Sequence, residues 1–546
     1  MENAQETSKA DGKLKGFQIV SLLTLLSRIT GLGRDALMAS VFGTGWILDA
    51  FTLAFRVPNM FRRLFGDGAM TAAFLPEFVK ADQQGGRNSA REVFNGVAWK
   101  LLGILLFSTV LAEAVVAVIY LTCDISARSS MLCQLTLILL PYLVLICMSS
   151  LYSAALNGVH HFTVPALAPV ALNIIWLLGG ILAARWMETA ADEVRIISFF
   201  ILLGGVAQLA MVVWRAHHFD IRMSRHSIAD QEAVRPVFKA MGPVLIGLTV
   251  GQINGLVDGV LAWFLSSGGL LEVAWMADFR LPLGTASALY LGQRLFQFPM
   301  GIFAVALGTV LFPRFARHAQ AGDTSELNRD VIHGLQLVLV VAIPASVGLW
   351  FMAPPITNLL FRYGQFGSQA AAMTSDMISA NGLGVWVFSG LLIVNRVFYA
   401  VNDQITPMRQ GVICVGLNLL FDFVLLPLFG GQGLPLAGVL AACFQLGLAV
   451  EVLHRRFLKI EGRDFVPLLF RVAIGTLIMQ FVGLATIFGT QWLVGGSDDP
   501  MPRLLKVVLP ILTSVATYAV VLTQTGISLS RLTRESYRPG NSENSN

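Results

Sequence analysis

Eight ionised side chains lie between Ser27 and Gly68 within two otherwise apolar runs: Arg28, Arg34, Asp35, Asp49, Arg56, Arg62, Arg63 and Asp67. A charge at mid-bilayer depth costs roughly 2.5–3.5 kcal/mol on insertion scales, so several in neighbouring segments exclude a lipid-facing role. They suit a polar, water-filled cavity between helices. With five arginines against three aspartates, that cavity attracts anions. Guanidinium groups grip phosphate oxygens two at a time and keep their charge. Arg28 and Asp35 are seven apart and share a helical face, whereas Arg34 points elsewhere. In the second run Arg56, Asn59, Arg63 and Asp67 form one stripe of a regular helix, with Arg62 off it unless Pro58 breaks the phase. The competing reading is that these arginines snorkel to an interface or pair with Asp35, Asp49 and Asp67.

Two further groups stand apart. Arg294, in Gly292-Gln-Arg-Leu-Phe-Gln-Phe-Pro299, is the natural arginine contribution of the second half to a shared cavity, or else an interfacial anchor. Asp258, Asn418 and Asp422 offer two carboxylates and an amide oxygen in apolar surroundings. That donor set suits a small hard cation such as sodium. Protonated or hydrogen-bonded helix glue is the alternative.

The elements that must position these residues are membrane helices. Of 546 residues 55% are hydrophobic and only 13% charged, about half the charged share of a soluble protein, and the mean hydropathy is +0.69. Apolar runs of 18 or more residues recur from end to end, which excludes one large soluble core. Fourteen spans are expected, with approximate cores at 17–42, 49–79, 93–122, 131–156, 164–186, 195–214, 238–265, 288–313, 329–353, 373–400, 409–428, 434–454, 467–492 and 503–526. Basic links at 80–92, 215–239, 314–329, 396–409 and 454–471 alternate with short or acid-leaning ones, so the positive-inside rule places both termini in the cytoplasm. The polar opening residues and the interrupted apolar run after them predict a first segment that is retained, not cleaved. The basic balance of +5 is what cytoplasmic loops of a membrane protein collect, and implies no nucleic acid.

Five cysteines show no metal-ligand spacing. Cys123 and Cys133 flank one short loop and pair only if it faces an oxidising compartment; two unpaired apolar cysteines is the alternative. No phosphate-binding loop, HExxH or GxSxG motif is present, so the chain reads as a transporter and not an enzyme. His160, His161, His217, His218, His226 and His454 fall in expected loops, where a solvated or headgroup-facing role is the default.

The halves echo one another. Phe74-Leu-Pro-Glu-Phe78 resembles Leu311-Phe-Pro-Arg-Phe315, and the pairs Asn157/Asn173 and Asn402/Asn418 are each sixteen residues apart. Six segments separate the copies, which fits parallel repeats with a substrate site between them. Segments thirteen and fourteen fall outside both copies.

At SRITGLGRDAL, LDAF, AFRVPNMFRRLFGDGA and FLPEF, and again at GQRLFQFPMGIFAVALGTVLFP and RVFYAVNDQITP, the chain resembles the MurJ/MviN family of bacterial lipid II flippases. These belong to the multidrug/oligosaccharidyl-lipid/polysaccharide exporter superfamily. The resemblance implies an all-α polytopic membrane protein of about 14 transmembrane helices. Two pseudo-symmetric six-helix lobes would enclose a central cationic cavity, and two extra C-terminal helices would form a groove for a lipid tail. The corresponding divisions are a cytoplasmic tail at 1–16, lobes at 17–220 and 221–460, the groove helices at 461–526 and a disordered cytoplasmic tail at 527–546.

The implied substrate is the undecaprenyl-pyrophosphate-linked disaccharide-pentapeptide of peptidoglycan. It would be moved by alternating access across the bacterial cytoplasmic (inner) membrane, in the service of cell-wall biogenesis and cell shape. The family's cavity arginines fall on Arg28, Arg34, Arg62 and Arg294, with Arg63 as the alternative to Arg62, and the acidic partners on Asp35, Asp49 and Asp67. Its sodium ligands resemble Asp258, Asn418 and Asp422. The expected partners are this lipid-linked precursor and membrane lipids, with cell-wall synthesis and division proteins as further candidates, and the chain is expected to act as a monomer. The chain departs from the pattern at Gln293 and Gln297, where members often carry acids, and in a longer 266–287 region, where Ala274–Arg280 is expected as an extra interfacial helix. Rival functions are export of another lipid-linked oligosaccharide or a drug, and a non-transporting cell-wall scaffold.

Overall fold

In hydrocarbon every backbone N–H and C=O must bond within its own segment, so the long apolar runs fold as helices. The computed structural model describes residues 2–224, 231–266, 279–495 and 499–527. Among these there is no β-strand, only an isolated bridge between Ser266 and Leu281. Most of Ala274–Arg280 and all but the first residue of the 527–546 tail lie outside the described residues, as does the side chain of Asp67.

Nine helices among the described residues are long and apolar enough to cross a membrane, or ten if one pair bent by 41° counts as a single span. Two of the nine, Trp46–Thr122 and Ile405–Arg456, run for 77 and 52 residues. At 1.5 Å per residue each is far longer than the roughly 30 Å hydrocarbon layer. Each holds two of the expected segments. Gly86 marks the division in the first with φ 70°, ψ −170°, and Gly430 in the second with φ 57°, backbone angles that side chains resist.

The chain divides into two compact units. The first comprises residues 1–287 and 363–367, the second 288–362 and 368–546. The first unit contains α1 (Glu2–Phe42), α2 (Trp46–Arg62), α3 (Leu75–Thr122), α4 (Ala127–Leu139), α5 (Pro141–Gly158), α6 (Thr163–Trp186), α7 (Ala190–His217) and α8 (Gln231–Leu265), and ends in the first turn of α9 (Thr285–Pro299). Its core is aromatic at the centre. Trp176 meets Phe51 and Phe55 edge-on at 5.6 and 5.0 Å, and Phe55 stacks on Tyr142 at 6.1 Å. Helices α6 and α7 approach closely because Gly179 and Gly204 leave room there. A Cβ on Gly179 would lie 2.4 Å from Phe200 and one on Gly204 2.7 Å from Leu172, the small-residue packing of membrane helices.

The second unit continues α9 and adds α10 (Val305–Gln320), α11 (Thr324–Leu360), α12 (Ser368–Gly382), α13 (Val385–Ala400), α14 (Ile405–Phe429), α15 (Gly433–Arg456), α16 (Val466–Val494) and α17 (Pro500–Gln524). Here α16 and α17 pack on α11, and the Tyr518 hydroxyl donates to the Val340 carbonyl at 2.6 Å.

The internal echo has a structural counterpart. In each half a proline, Pro58 or Pro299, precedes a wider π-helical segment, Arg63–Phe74 in the first unit and Met300–Ala304 in the second. Proline removes an i→i−4 hydrogen bond and invites this slack. The repeated Leu-Pro and Phe-Pro steps then fall eighteen residues after Pro58 and fourteen after Pro299. The longer first interval accommodates the longer π segment.

One loop histidine departs from the solvated role expected of it. His161, between α5 and α6, accepts from Arg215 Nε at 3.2 Å. Partial burial, and then the Arg215 charge, hold its pKa below the ordinary value of 6.5. Because the folded value is depressed, the stability this contact contributes is present above about pH 6.5 and is lost as pH falls through the lower folded value. Detergent-solubilised protein is therefore expected to melt lower as pH drops below 6.5, and His161→Gln to flatten that part of the profile. An unchanged profile in the variant would remove His161 as its source.

Candidate functional site

The charges of α1 and α2 are treated very differently by the fold. Arg34 and Asp35 are both buried, and Arg34 folds back on its neighbour, with Nη2 and Nε 2.7 and 3.0 Å from Asp35 Oδ1. Nη1 donates to Asn173 Oδ1 on α6 at 3.2 Å, and the guanidinium lies 4.0 Å above the Trp176 ring. Asn173 Nδ2 in turn donates to the Ser27 carbonyl and the Thr30 hydroxyl, at 3.0 and 3.2 Å. The pair is therefore held by two residues of α6. Asn173, picked out by the echo, and Trp176 are its holders. Arg28 shares the face of Asp35 yet is exposed, among exposed Leu25 and Ile29. It makes no hydrogen bond or ion pair among the described residues.

Asp49 is fully buried, and its two oxygens accept from the backbone N–H groups of Gly284 and Ser287, each at 2.8 Å. It thus caps the start of α9 from 235 residues away. Its ionic partner is none of the arginines of its own segment but Arg128, whose Nη2 is 3.6 Å from Oδ2. Arg128 opens α4 and also closes α8. It donates to the Ser266 carbonyl at 2.9 Å and the Ser266 hydroxyl at 2.7 Å, and stacks 3.7 Å over Trp263. A cation at a helix C-terminus and an anion at a helix N-terminus each meet the favourable end of the dipole. Sequence reasoning passed over Arg128. The available signal was a lone arginine opening an apolar segment after a short loop.

In α2, Arg62 is half-buried and donates Nε to Asn59 Oδ1 at 3.1 Å, while Arg63 is half-buried on the first residue of the π segment. The backbone widens into the π segment at Arg63, a change that the regular-helix stripe did not include. Asn59 and Arg62 are the residues that meet. Arg56 lies against α8, where a Cβ on Gly259 would fall 2.2 Å and one on Gly255 3.2 Å from its guanidinium nitrogens. Those two glycines make a slot for it.

In the second unit Arg294 is half-buried with its guanidinium 5.7 Å from the Tyr290 ring centroid, and Gln293 and Gln297 are half-buried beside it. Asn418 and Asp422 are buried one turn apart in α14, joined by an Asn418 Nδ2 to Asp422 Oδ2 bond of 3.2 Å. Asp258 is buried in α8 of the first unit. Among the described residues no group of three or more His, Cys, Asp or Glu side chains could hold a metal ion. All five cysteines are free thiols, Cys123 exposed and Cys133 buried. An apolar cleft of about 540 Å³ is lined by Leu335, Ile343, Trp386, Leu446, Phe465 and Leu469, so that α11, α13, α15 and the start of α16 all contribute to it.

The family model described as "Lipid II flippase MurJ" matches residues 38–497. The chain belongs to that family. A protein of Haemophilus influenzae named "Probable lipid II flippase MurJ" is 30% identical over 488 residues, 84% of this chain and 91% of its own. The "Lipid II flippase MurJ" of Burkholderia cenocepacia is 29% identical over 451 residues, 80% of this chain and 83% of its own. Among solved structures, "Lipid II flippase MurJ, inward closed conformation" shares the fold with a TM-score of 0.71 at 24% identity, over 92% of this chain and 99% of that one. An outward-facing multidrug resistance MATE family transporter of the MOP superfamily does so at 0.56 with 9% identity, over 81% of this chain and 95% of that one. The family is thus a MurJ one on a wider transporter fold, and the buried Arg34–Asp35 and Asp49–Arg128 networks are how this member builds its first unit.

Proposed function

We propose that the chain is a lipid II flippase, carrying the undecaprenyl-pyrophosphate-linked peptidoglycan precursor from the inner to the outer leaflet of the bacterial cytoplasmic membrane. The match of the flippase family model over most of the chain carries this reading. It is supported by the number of arginines held in apolar helices of the first unit, by Arg294 in the second, and by the apolar cleft of the second. No enzyme motif competes with transport.

In this reading Arg28, Arg62 or Arg63, and Arg294 receive the pyrophosphate, replacing the hydration it loses. Asn59 orients Arg62, and Arg34 with Asp35, like Asp49, sets the walls. Asp67 belongs to the same cavity. The prenyl tail stays in lipid or follows an apolar surface that α16 and α17 help to form. Fourteen spans in two six-helix lobes plus two further helices, divided near 220 and 460, with both termini cytoplasmic and the protein acting as a monomer, complete the proposal. The membrane potential, about 2.3 kcal/mol per charge per 100 mV, resets the empty carrier. Sodium at Asp258, Asn418 and Asp422 is a second source of drive, supported by their hard oxygen donors. Where cell-wall synthesis and division proteins dock belongs to the same proposal.

The deciding experiment is rescue of a flippase-depleted bacterium by the wild-type chain beside Arg28→Ala, scored by lipid II reaching the outer leaflet. Arg28 touches none of the buried networks, so Arg28→Ala is expected to accumulate and melt like wild type and yet lose at least tenfold in translocation, about 1.4 kcal/mol for one charge-assisted contact. Normal translocation by the variant would remove Arg28 from the site. Failure of the well-expressed wild type would favour export of another lipid-linked oligosaccharide.

A further inference from the structure

A groove of about 860 Å³ in the first unit, between α3 and the start of α8, takes no part in the networks above. Its charged lining is Lys100 from α3 and Arg235 and Lys239, one turn apart on α8; all three are exposed, and no acidic residue lines it among those described. Trp99 and Phe238 flank these cations. Ser224, in the segment after α7, is tied to the α3 wall. The buried Asn95 side chain bonds both backbone groups of Ser224, at 2.9 and 2.8 Å, and Trp99 Nε1 donates to the same Ser224 carbonyl at 3.2 Å. Gly103 opens the α3 wall, since a Cβ there would meet nothing within 4 Å.

Beyond Lys100 the same face of α3 turns apolar. Ile104, Phe107, Leu111, Val115 and Val118 follow at helical spacing, and every one of them is exposed. Positive charge and an interfacial indole at one end of a long apolar stripe match the two ends of a phospholipid. A soluble anion would gain nothing from the stripe.

We propose that this groove binds an anionic glycerophospholipid of the surrounding bilayer, its phosphate among Lys100, Arg235 and Lys239 and an acyl chain along the Ile104–Val118 stripe. The bilayer is the source because the stripe is a lipid-facing one. This assignment does not depend on which lipid the protein transports.

The test is native mass spectrometry of the full-length protein released from nanodiscs of phosphatidylglycerol or of phosphatidylcholine, with titration of each lipid into delipidated protein. Wild type is expected to retain phosphatidylglycerol preferentially. Each basic side chain near a membrane surface contributes about fivefold. Lys100→Gln should thus weaken the preference about fivefold, and the triple Lys100→Gln/Arg235→Gln/Lys239→Gln variant about a hundredfold. Gly103→Leu fills the groove while keeping all three charges and improves helix propensity, so its loss of binding cannot be ascribed to misfolding. Equal retention of both lipids by wild type, or unchanged binding in both the triple variant and Gly103→Leu, overturns the proposal. Displacement of the bound lipid by millimolar inorganic phosphate would reassign the groove to a soluble anion, and displacement by stoichiometric lipid II would reassign it to the transported molecule.

Discussion

Asp49→Ala is expected to destabilise the protein by about 3–5 kcal/mol, the cost of stranding a buried charge. Three groups lose their partner at once. The N–H groups of Gly284 and Ser287, each 2.8 Å from an Asp49 oxygen, are left without an acceptor at the start of α9, and the buried Arg128 keeps its charge with no carboxylate beside it. Asp49→Asn retains an acceptor and should fall between wild type and Ala. In the double variant Asp49→Ala/Arg128→Met the uncompensated charge is gone, so its loss should be smaller than the sum of the singles, as expected of residues in contact. Cys133, Cys147 and Cys414 are buried thiols, so with the exposed Cys123 replaced by serine a thiol-reactive dye in detergent reports unfolding. An Asp49→Ala protein that melted like wild type but failed to rescue a depleted strain would return Asp49 to the substrate site and end the capping account.

Arg34→Ala is the second large loss. Asp35 would lose the Arg34 guanidinium in a buried setting, Asn173 would lose one of its three bonds, and the face of Trp176 would lose its cation. About 3–5 kcal/mol is again the expected cost. Arg34→Lys should recover part of it only, because an ammonium cannot serve Asp35 and Asn173 as one planar fork. Arg34→Leu/Asp35→Leu removes both charges and is expected to be less destabilising than Arg34→Ala. Translocation by that double variant then separates two roles. Retained translocation makes the pair a wall of the cavity, whereas a well-folded double variant that moves no lipid II makes Arg34 a direct ligand. Full stability in Arg34→Ala would show that the network contributes nothing.

These expectations differ from that for Arg28, although a sequence reading treats the three residues alike as charges in apolar helices. Arg28 is exposed, Arg34 is tied to Asp35 and Asn173, and Asp49 is consumed by the helix it caps. Likewise the stripe Arg56, Asn59, Arg63, Asp67 assumed one uniform helix. The backbone from Arg63 onward is π-helical, and Asn59 accepts from Arg62.

What the sequence determined by itself is whatever depends on local, additive chemistry. An apolar run long enough to cross hydrocarbon must be helical wherever it ends up, because its backbone has no other partner. The spans of α5, α6, α7, α16 and α17 were therefore legible from hydropathy, and the motif blocks from SRITGLGRDAL to RVFYAVNDQITP carried the family. The internal echo was legible too, and it pointed at Asn173 before any role for it was known. Only the tertiary structure decided which charges are spent on the fold. Asp49 meets partners 235 and 238 residues away, and Arg34 one that is 139 residues away. Such partnerships depend on where helices come to lie against one another, and the spacing of residues along a single helix contains no record of that.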